Sequence, residues 1–173
     1  MRMPAIRELG LSLGSNLGDR LGHLRAAREA LCAYAQTTLA AQAPVYETDP
    51  VGVRPEYAHL AYLNTVLILC TDESAAPWLD RIQALEAALG RVRQADRNAP
   101  RPIDVDILYV GAQIEKTPDL TVPHPRWAER AFVLVPLADV RPDLRLPGYR
   151  QTVAQLAARL SDRATVRRFA DPW

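Results

Sequence analysis

The chain predicts an α+β fold. Apolar residues alternate or form short buried runs at Leu9–Leu13, Leu60–Thr71 and Ile103–Ile107, which is strand spacing. They recur at helical spacing after Asp19 and after Ser74. Strands outnumber helices early and the connections vary in length, which argues against a doubly wound α/β sheet. At 173 residues the chain can bury one real core and not comfortably two, so residues 1–173 are expected to form a single domain.

Leu9 to Leu13 is a short buried strand that runs into Gly14-Ser15-Asn16-Leu17-Gly18-Asp19, with Asp19 as a helix N-cap. Leu21, Leu24, Ala27, Leu31 and Tyr34 mark one side of the helix that follows. A strand, a glycine and a helix in series suggest a phosphate loop. That loop needs a Gly-Lys-Ser/Thr step, and Lys116 is the chain's first and only lysine. Gly14 and Gly18 are therefore read as a tight turn. Residues 37–48 are extended, and Asp49-Pro50-Val51-Gly52-Val53-Arg54-Pro55 is a loop rich in breakers. In the long strand Leu60 to Thr71, Tyr62 and Asn64 share a face. Asn64 either faces water at an edge or is buried with partners for its amide.

Ser74 can cap a helix from Ala75 to Leu89, ended by Gly90, with Trp78, Ile82, Leu85 and Leu89 as its core stripe. Gln83 and Glu86 sit side by side on another face, either solvated or functional through their nearness to Arg91. Residues 91–101 lack an apolar stripe and form a loop into a strand from Asp104 to Val110. Gly111-Ala112 is a hairpin-like turn toward a short strand near Ile114. Two prolines hold Thr121-Val122-Pro123-His124-Pro125 extended and fix His124, a structural or a catalytic histidine. Phe132 to Val140 is apolar around Pro136, Thr152 to Leu160 is a final helix, and the tail Arg167 to Trp173 shows no decisive pattern.

Composition narrows the function. A net charge of +1 gives no global field for nucleic acid or an anionic membrane. Cys32 and Cys70 lie in apolar contexts and are expected as buried free thiols, without disulfide or zinc spacing. No apolar run is long enough to span a bilayer, and the first residues lack the apolar core of a signal peptide. A cytoplasmic protein is the expectation.

The chemistry concentrates in Asn98-Ala99-Pro100-Arg101-Pro102-Ile103-Asp104-Val105-Asp106-Ile107-Leu108. Alternation puts Asp104 and Asp106 together on one face of a strand, where they repel unless something cationic joins them. Hard carboxylate oxygens suit Mg²⁺. Arg91, Arg93, Arg97 and Arg101 lie just upstream, and arginine forks beside a carboxylate-held cation suit a polyphosphate. The bland alternative is a solvated strand whose acids the arginines neutralise.

Assembled, these pieces resemble the 6-hydroxymethyl-7,8-dihydropterin pyrophosphokinase family from Leu11 to about Leu144. The resemblance is carried by Leu-Ser-Leu-Gly-Ser-Asn, Tyr-Glu-Thr-Asp-Pro-Val-Gly, Tyr-Leu-Asn, Gly-Arg-Val-Arg, Pro-Arg-Pro-Ile-Asp-Val-Asp-Ile and Thr-Val-Pro-His, in that order. It implies a ferredoxin-like antiparallel sheet flanked by helices. It implies pyrophosphoryl transfer from ATP to the pterin hydroxymethyl group, with release of AMP, in folate biosynthesis. By the same resemblance, Asp104 and Asp106 hold two Mg²⁺ ions, and Arg91 and Arg101 hold the phosphates during transfer. Gln83, Glu86, Arg93, Arg97, Ile107, Thr121, His124 and Arg130 fall where relatives contact ATP or its metal site. Tyr62 and Phe132 would sandwich the pterin, Asn64 would bond its polar edge, and Thr48, Pro50 and Val51 would offer backbone groups to that edge. The partners implied are small molecules, with no nucleic acid or membrane, and a monomer is the expected state. Gln94, Asn98, Asp119 and Pro125 depart from the family pattern, all at the rim of the site.

Overall fold

A computed structural model describes residues 5–162 and 165–173. Its elements are β1 (Arg7–Ser15), α1 (Arg20–Cys32), β2 (Thr38–Gln42), β3 (Val45–Thr48), β4 (Tyr62–Thr71), α2 (Ala75–Ala88) and β5 (Asp104–Val110). There follow β6 (Glu115–Lys116), β7 (Thr121–Val122), α3 (Ala131–Val140), α4 (Val153–Ala158) and β8 (Arg167–Ala170). The main sheet runs β5-β1-β4-β3-β8, with β2 also on β4, and every pairing in it is antiparallel. Two strand–helix–strand units thus interleave, which is the expected ferredoxin-like order.

Alternation along the central strands sorts residues between two helical layers. Leu9, Leu11 and Leu13 of β1, Leu63, Leu67 and Leu69 of β4, and Val105 and Ile107 of β5 pack under α1 and α2. The α1 stripe Leu24, Ala27 and Leu31 and the α2 stripe Trp78, Ile82 and Leu85 complete that layer. Val66 and Ile68 point the other way, to Val133, Leu134 and Leu137 of α3 and Val153 and Ala157 of α4. Among the described residues no helix is long and apolar enough to cross a membrane.

Several local expectations change. Gly14 belongs to β1, and Gly18, at φ +68°, makes the turn into α1. Asp19 caps α1 by accepting from the Gly22 N–H. Ser74 precedes α2 but makes no side-chain cap; the Ala75 N–H donates to Gln113 Oε1 instead. After Gly111 the chain leaves the sheet, and β6 pairs with β7 rather than returning along β5. Cys32 and Cys70 are free thiols, but only half-buried. Phe132 to Val140 is helical despite Pro136, whose ring removes one main-chain bond from α3.

The tail is ordered by long-range contacts that local patterns do not announce. β8 adds to the β3 edge, and Trp173 is buried, its indole N–H donating to the Ala43 carbonyl at 2.8 Å. The Arg28 guanidinium lies 4.6 Å from the Trp173 ring centroid.

Candidate active site

The site lies on the α3 side of the sheet, at the end that α3 leaves uncovered. Register places Tyr46, Asn64, Gly14 and Asp104 in one row across β3, β4, β1 and β5. Directly paired residues share a face, so this row is a floor. Thr48 pairs with Tyr62 one step nearer the sheet end, and Ser12 pairs with Asp106 one step further in. Gly14 leaves a gap in the floor. A Cβ there would stand 2.9 Å from Asn64 Oδ1. Asn64 is 4% exposed, and its amide donates to Thr48 Oγ1 at 2.7 Å. It therefore lies inside a central strand and does not face water at an edge.

Tyr62 and Phe132 border the floor, both half-buried. Tyr62 lies at the start of β4, and burial raises its hydroxyl pKa. Phe132 sits in the first turn of α3, with the Arg130 guanidinium 5.5 Å from its ring centroid. Along the adjoining loop, Thr48 is buried, Pro50 half-buried and Val51 84% exposed.

Asp104 and Asp106 project from β5 together, as alternation requires. Arg91 Nη1 lies 2.6 Å from Asp104 Oδ1 and 2.6 Å from Glu86 Oε1, so it bridges two acids. Arg101 Nη1 is 3.3 Å from Asp104 Oδ2. Asp106 faces Arg130 Nη1 at 3.4 Å and His124 Nε2 at 3.8 Å. Burial and the Asp104 charge push the Asp106 carboxyl up to about 6, although Arg130 and the other arginines pull it down. Burial, with the charges of Arg130 and Arg126, lowers His124 to about 4, so it is neutral at pH 7. Its Nδ1 accepts from the Arg126 N–H at 3.0 Å, which assigns the ring proton to Nε2, on the Asp106 side.

Glu86 and Gln83 part company. Glu86 is 5% exposed and accepts from the Val105 N–H at 2.8 Å as well as from Arg91. Burial raises its pKa, and those two donors oppose the shift. Gln83 is exposed on α2. Arg93 and Arg97 are exposed on the 91–101 loop, and neither forms an ion pair among the described residues. The Arg97 carbonyl does accept from Arg101 Nη2.

A cavity of about 270 Å³ opens beside β5. Leu79, Ile82, Ile107 and Leu120 give it apolar walls, and Asp106, Thr121 and His124 give it polar ones. Asp119 and Pro125, two of the departures, also line it. The structure thus gathers Asp104, Asp106, Arg91, Arg101, Glu86, Arg130 and His124, with Thr121 and Ile107 on the adjoining cavity. It leaves Gln83, Arg93, Arg97 and Val51 outward. Among the described residues no three His, Cys, Asp or Glu side chains gather as a ready metal cluster.

Two features escaped the sequence reading. Gly14 forms part of the floor; a glycine within a strand pattern, signalling close approach, could have pointed to it. Asn98 and Asp96 tie the 91–101 loop to the 49–55 loop, through Asn98 Nδ2 to the Gly52 carbonyl at 2.8 Å and Asp96 Oδ2 to Arg54 Nε at 3.2 Å. No local signal marks that pair of contacts.

Known proteins resemble this chain in sequence and in fold. The family model described as 7,8-dihydro-6-hydroxymethylpterin-pyrophosphokinase (HPPK) matches residues 10–142. The chain is 41% identical over 153 residues to the 2-amino-4-hydroxy-6-hydroxymethyldihydropteridine pyrophosphokinase of Pseudomonas aeruginosa, covering 88% of this chain and 92% of that protein. It is 40% identical over 130 residues to the Bacillus subtilis enzyme of the same name, covering 75% of each. Among solved structures, wild-type Plasmodium falciparum HPPK-DHPS superposes with TM-score 0.69 over 91% of this chain at 13% identity, which supports the fold. This chain spans 45% of that longer one. By the family model and these relatives, the chain belongs to the 7,8-dihydro-6-hydroxymethylpterin-pyrophosphokinase family.

Proposed function

We propose that the protein transfers pyrophosphate from ATP to the hydroxymethyl group of 6-hydroxymethyl-7,8-dihydropterin, releasing AMP, in folate biosynthesis. One observation carries this reading. Asp104, under two arginines, stands in the same sheet row as Gly14 and Asn64. A polyphosphate-holding group and a flat, amide-lined floor are thus neighbours on one surface.

The pterin lies on that floor between Tyr62 and Phe132, since a flat heteroaromatic ring suits two aromatic faces. The Asn64 amide donates to Thr48, and its Oδ1 at the Gly14 gap is an acceptor for the pterin's polar edge. Thr48, Pro50 and Val51 offer main-chain groups to the same edge. The adenine and ribose take the 270 Å³ cavity with Ile107, Thr121 and His124. Gln83, Arg93 and Arg97 reach ATP from its outer side.

The residues fit a Mg²⁺-bound nucleotide. Asp104 and Asp106 present hard oxygens on one face, and a divalent cation would relieve the repulsion that raises Asp106. Two carboxylates leave most positions for phosphate oxygens and water, as Mg²⁺ prefers. Bound there, as two ions, Mg²⁺ would neutralise phosphate charge and lower the proton affinity of the hydroxymethyl oxygen. That oxygen attacks the β-phosphorus, the bond to the α-phosphate oxygen breaks, and AMP leaves.

Arg91 and Arg101 stabilise the charge that shifts during transfer. Both already sit on Asp104, so phosphate binding exchanges their carboxylate partner for phosphate oxygens. Glu86 keeps a second bond to Arg91 through that exchange. Neutral His124 donates from Nε2 and adds no charge. The proposed transfer uses groups of this chain alone and calls on no residue from a second copy.

The test is AMP release from ATP with Mg²⁺ and the pterin, against controls lacking each. AMP only when all three are present is expected. ADP would place the attack at the γ-phosphorus, and no nucleotide product would leave a binding protein. Asp106→Ala is expected to abolish turnover and keep the fold, since its side chain packs in neither layer of the core.

A further inference from the structure

We infer that Asn16 is a positioning residue for the transfer, one that fixes the main chain of Arg101 against the central strand. The inference rests on the function proposed above, because Arg101 matters only if phosphates sit over Asp104.

Asn16 is the first residue beyond β1, and it is 2% exposed. Its N–H donates to the Arg101 carbonyl at 3.2 Å, and its Oδ1 accepts from the Arg101 N–H at 2.8 Å. Arg101 has one main-chain donor and one main-chain acceptor, and Asn16 takes both. Pro100 and Pro102 flank it, and their rings hold φ near −65° and remove two N–H groups. The result is a stiff arch, pinned at its crown to the sheet. From it the guanidinium reaches Asp104 Oδ2 at 3.3 Å and the Ala99 carbonyl at 3.1 Å. Arg101 therefore belongs to the rigid floor, although it ends a loop whose Arg93 and Arg97 are exposed.

A purely structural role fits Asn16 poorly. A turn-forming asparagine bonds its own main chain a few residues away. This one reaches across 85 positions, and its Nδ2 is buried without a partner among the described residues. Buried donors are rarely left so, and each exception calls for an explanation in strain, in function or in a bound group. Asn16 also lines a cavity of about 340 Å³ with Leu17, Gly18, Arg20 and Glu47. Truncating its side chain enlarges a space already present and leaves the packed core intact.

The experiment compares wild type, Asn16→Ala, Arg101→Ala and the double variant by steady-state AMP release, with both substrates varied. Misplacing a catalytic group by about 1 Å costs on the order of 100-fold in rate. Asn16→Ala is therefore expected to lower kcat about 100-fold while the pterin KM changes little. The double variant is expected to turn over no more slowly than Arg101→Ala alone, because Asn16 acts through that residue. Additive losses in the double variant would overturn the inference, as would an unchanged kcat in Asn16→Ala.

Residue-resolved amide hydrogen exchange supplies a readout that needs no turnover. Asn16→Ala should speed exchange at the Arg101 N–H and leave β1 and β4 amides protected. Unchanged exchange at Arg101 refutes the clamp even in an active enzyme. A wild-type protein that makes no AMP, with Arg101 exchange accelerated in Asn16→Ala, refutes the function and retains the clamp.

Discussion

Gly14→Ala tests whether the gap beside Asn64 receives substrate. A Cβ at position 14 would stand 2.9 Å from Asn64 Oδ1, closer than real Cβ contacts allow. The carboxamide cannot yield freely, since Asn64 is 4% exposed and its Nδ2 is tied to Thr48 Oγ1 at 2.7 Å. Rotating it away loses that hydrogen bond, at about 1 kcal/mol, and part-strands a buried amide at about 1 kcal/mol more. Position 14 lies in a regular central strand, where alanine is tolerated, so the fold should survive. Those costs fall on folding stability, and a turned carboxamide would also lose its bond to the pterin edge, at a similar cost of about 2 kcal/mol. About 2 kcal/mol corresponds to roughly a 30-fold weaker pterin interaction. Initial-rate kinetics with both substrates varied should show the pterin KM raised about 30-fold and the ATP KM little changed, with the melting temperature lowered by about 4–8 °C. A pterin KM within about threefold of wild type in a folded variant would refute the argument, because either the floor at Gly14 has slack or Asn64 does not touch the pterin.

Two further predictions concern stability. Trp173→Ala removes a buried indole, its hydrogen bond to the Ala43 carbonyl and the Arg28 contact, and should cost about 3–5 kcal/mol in urea unfolding; a loss under about 1 kcal/mol would show the tail to be peripheral. Arg141→Ala removes a fork that grips Glu8 at 2.6 and 3.0 Å, in a pair about a third exposed, so the expected loss at pH 7 is about 1 kcal/mol. The Arg141 bonds hold the Glu8 carboxyl below its usual 4.5, so this stabilisation is present above that value and disappears as pH falls through the lower folded-state value. Unfolding curves of both proteins should differ more at pH 7 than at pH 3. An equal difference at both would mean that packing, and not charge, holds Arg141.

Local rules reach far in this chain. Alternation alone put Asp104 and Asp106 on one face, and the α1 and α2 stripes packed as their spacing demands. Asp19 and Thr152 cap their helices through bonds to residues three positions on. Such features depend on period and on neighbours a turn away, which a linear reading contains. Glu86 and Gln83 mark its limit. The two are three apart on one helix, yet Glu86 is buried and accepts from β5 and Arg91 while Gln83 faces solvent. Which of them turns inward depends on where β5 lies, and helical period carries no such information. The gap at Gly14 exists only because Asn64 and Asp104 arrive on either side from β4 and β5. β8 and Trp173 likewise take their order from partners more than 100 residues away. Composition and spacing determined which groups can do the chemistry and which faces they share along one element. Only the assembled sheet decided which of them meet, because a contact across 85 residues depends on register and packing that no local stretch encodes.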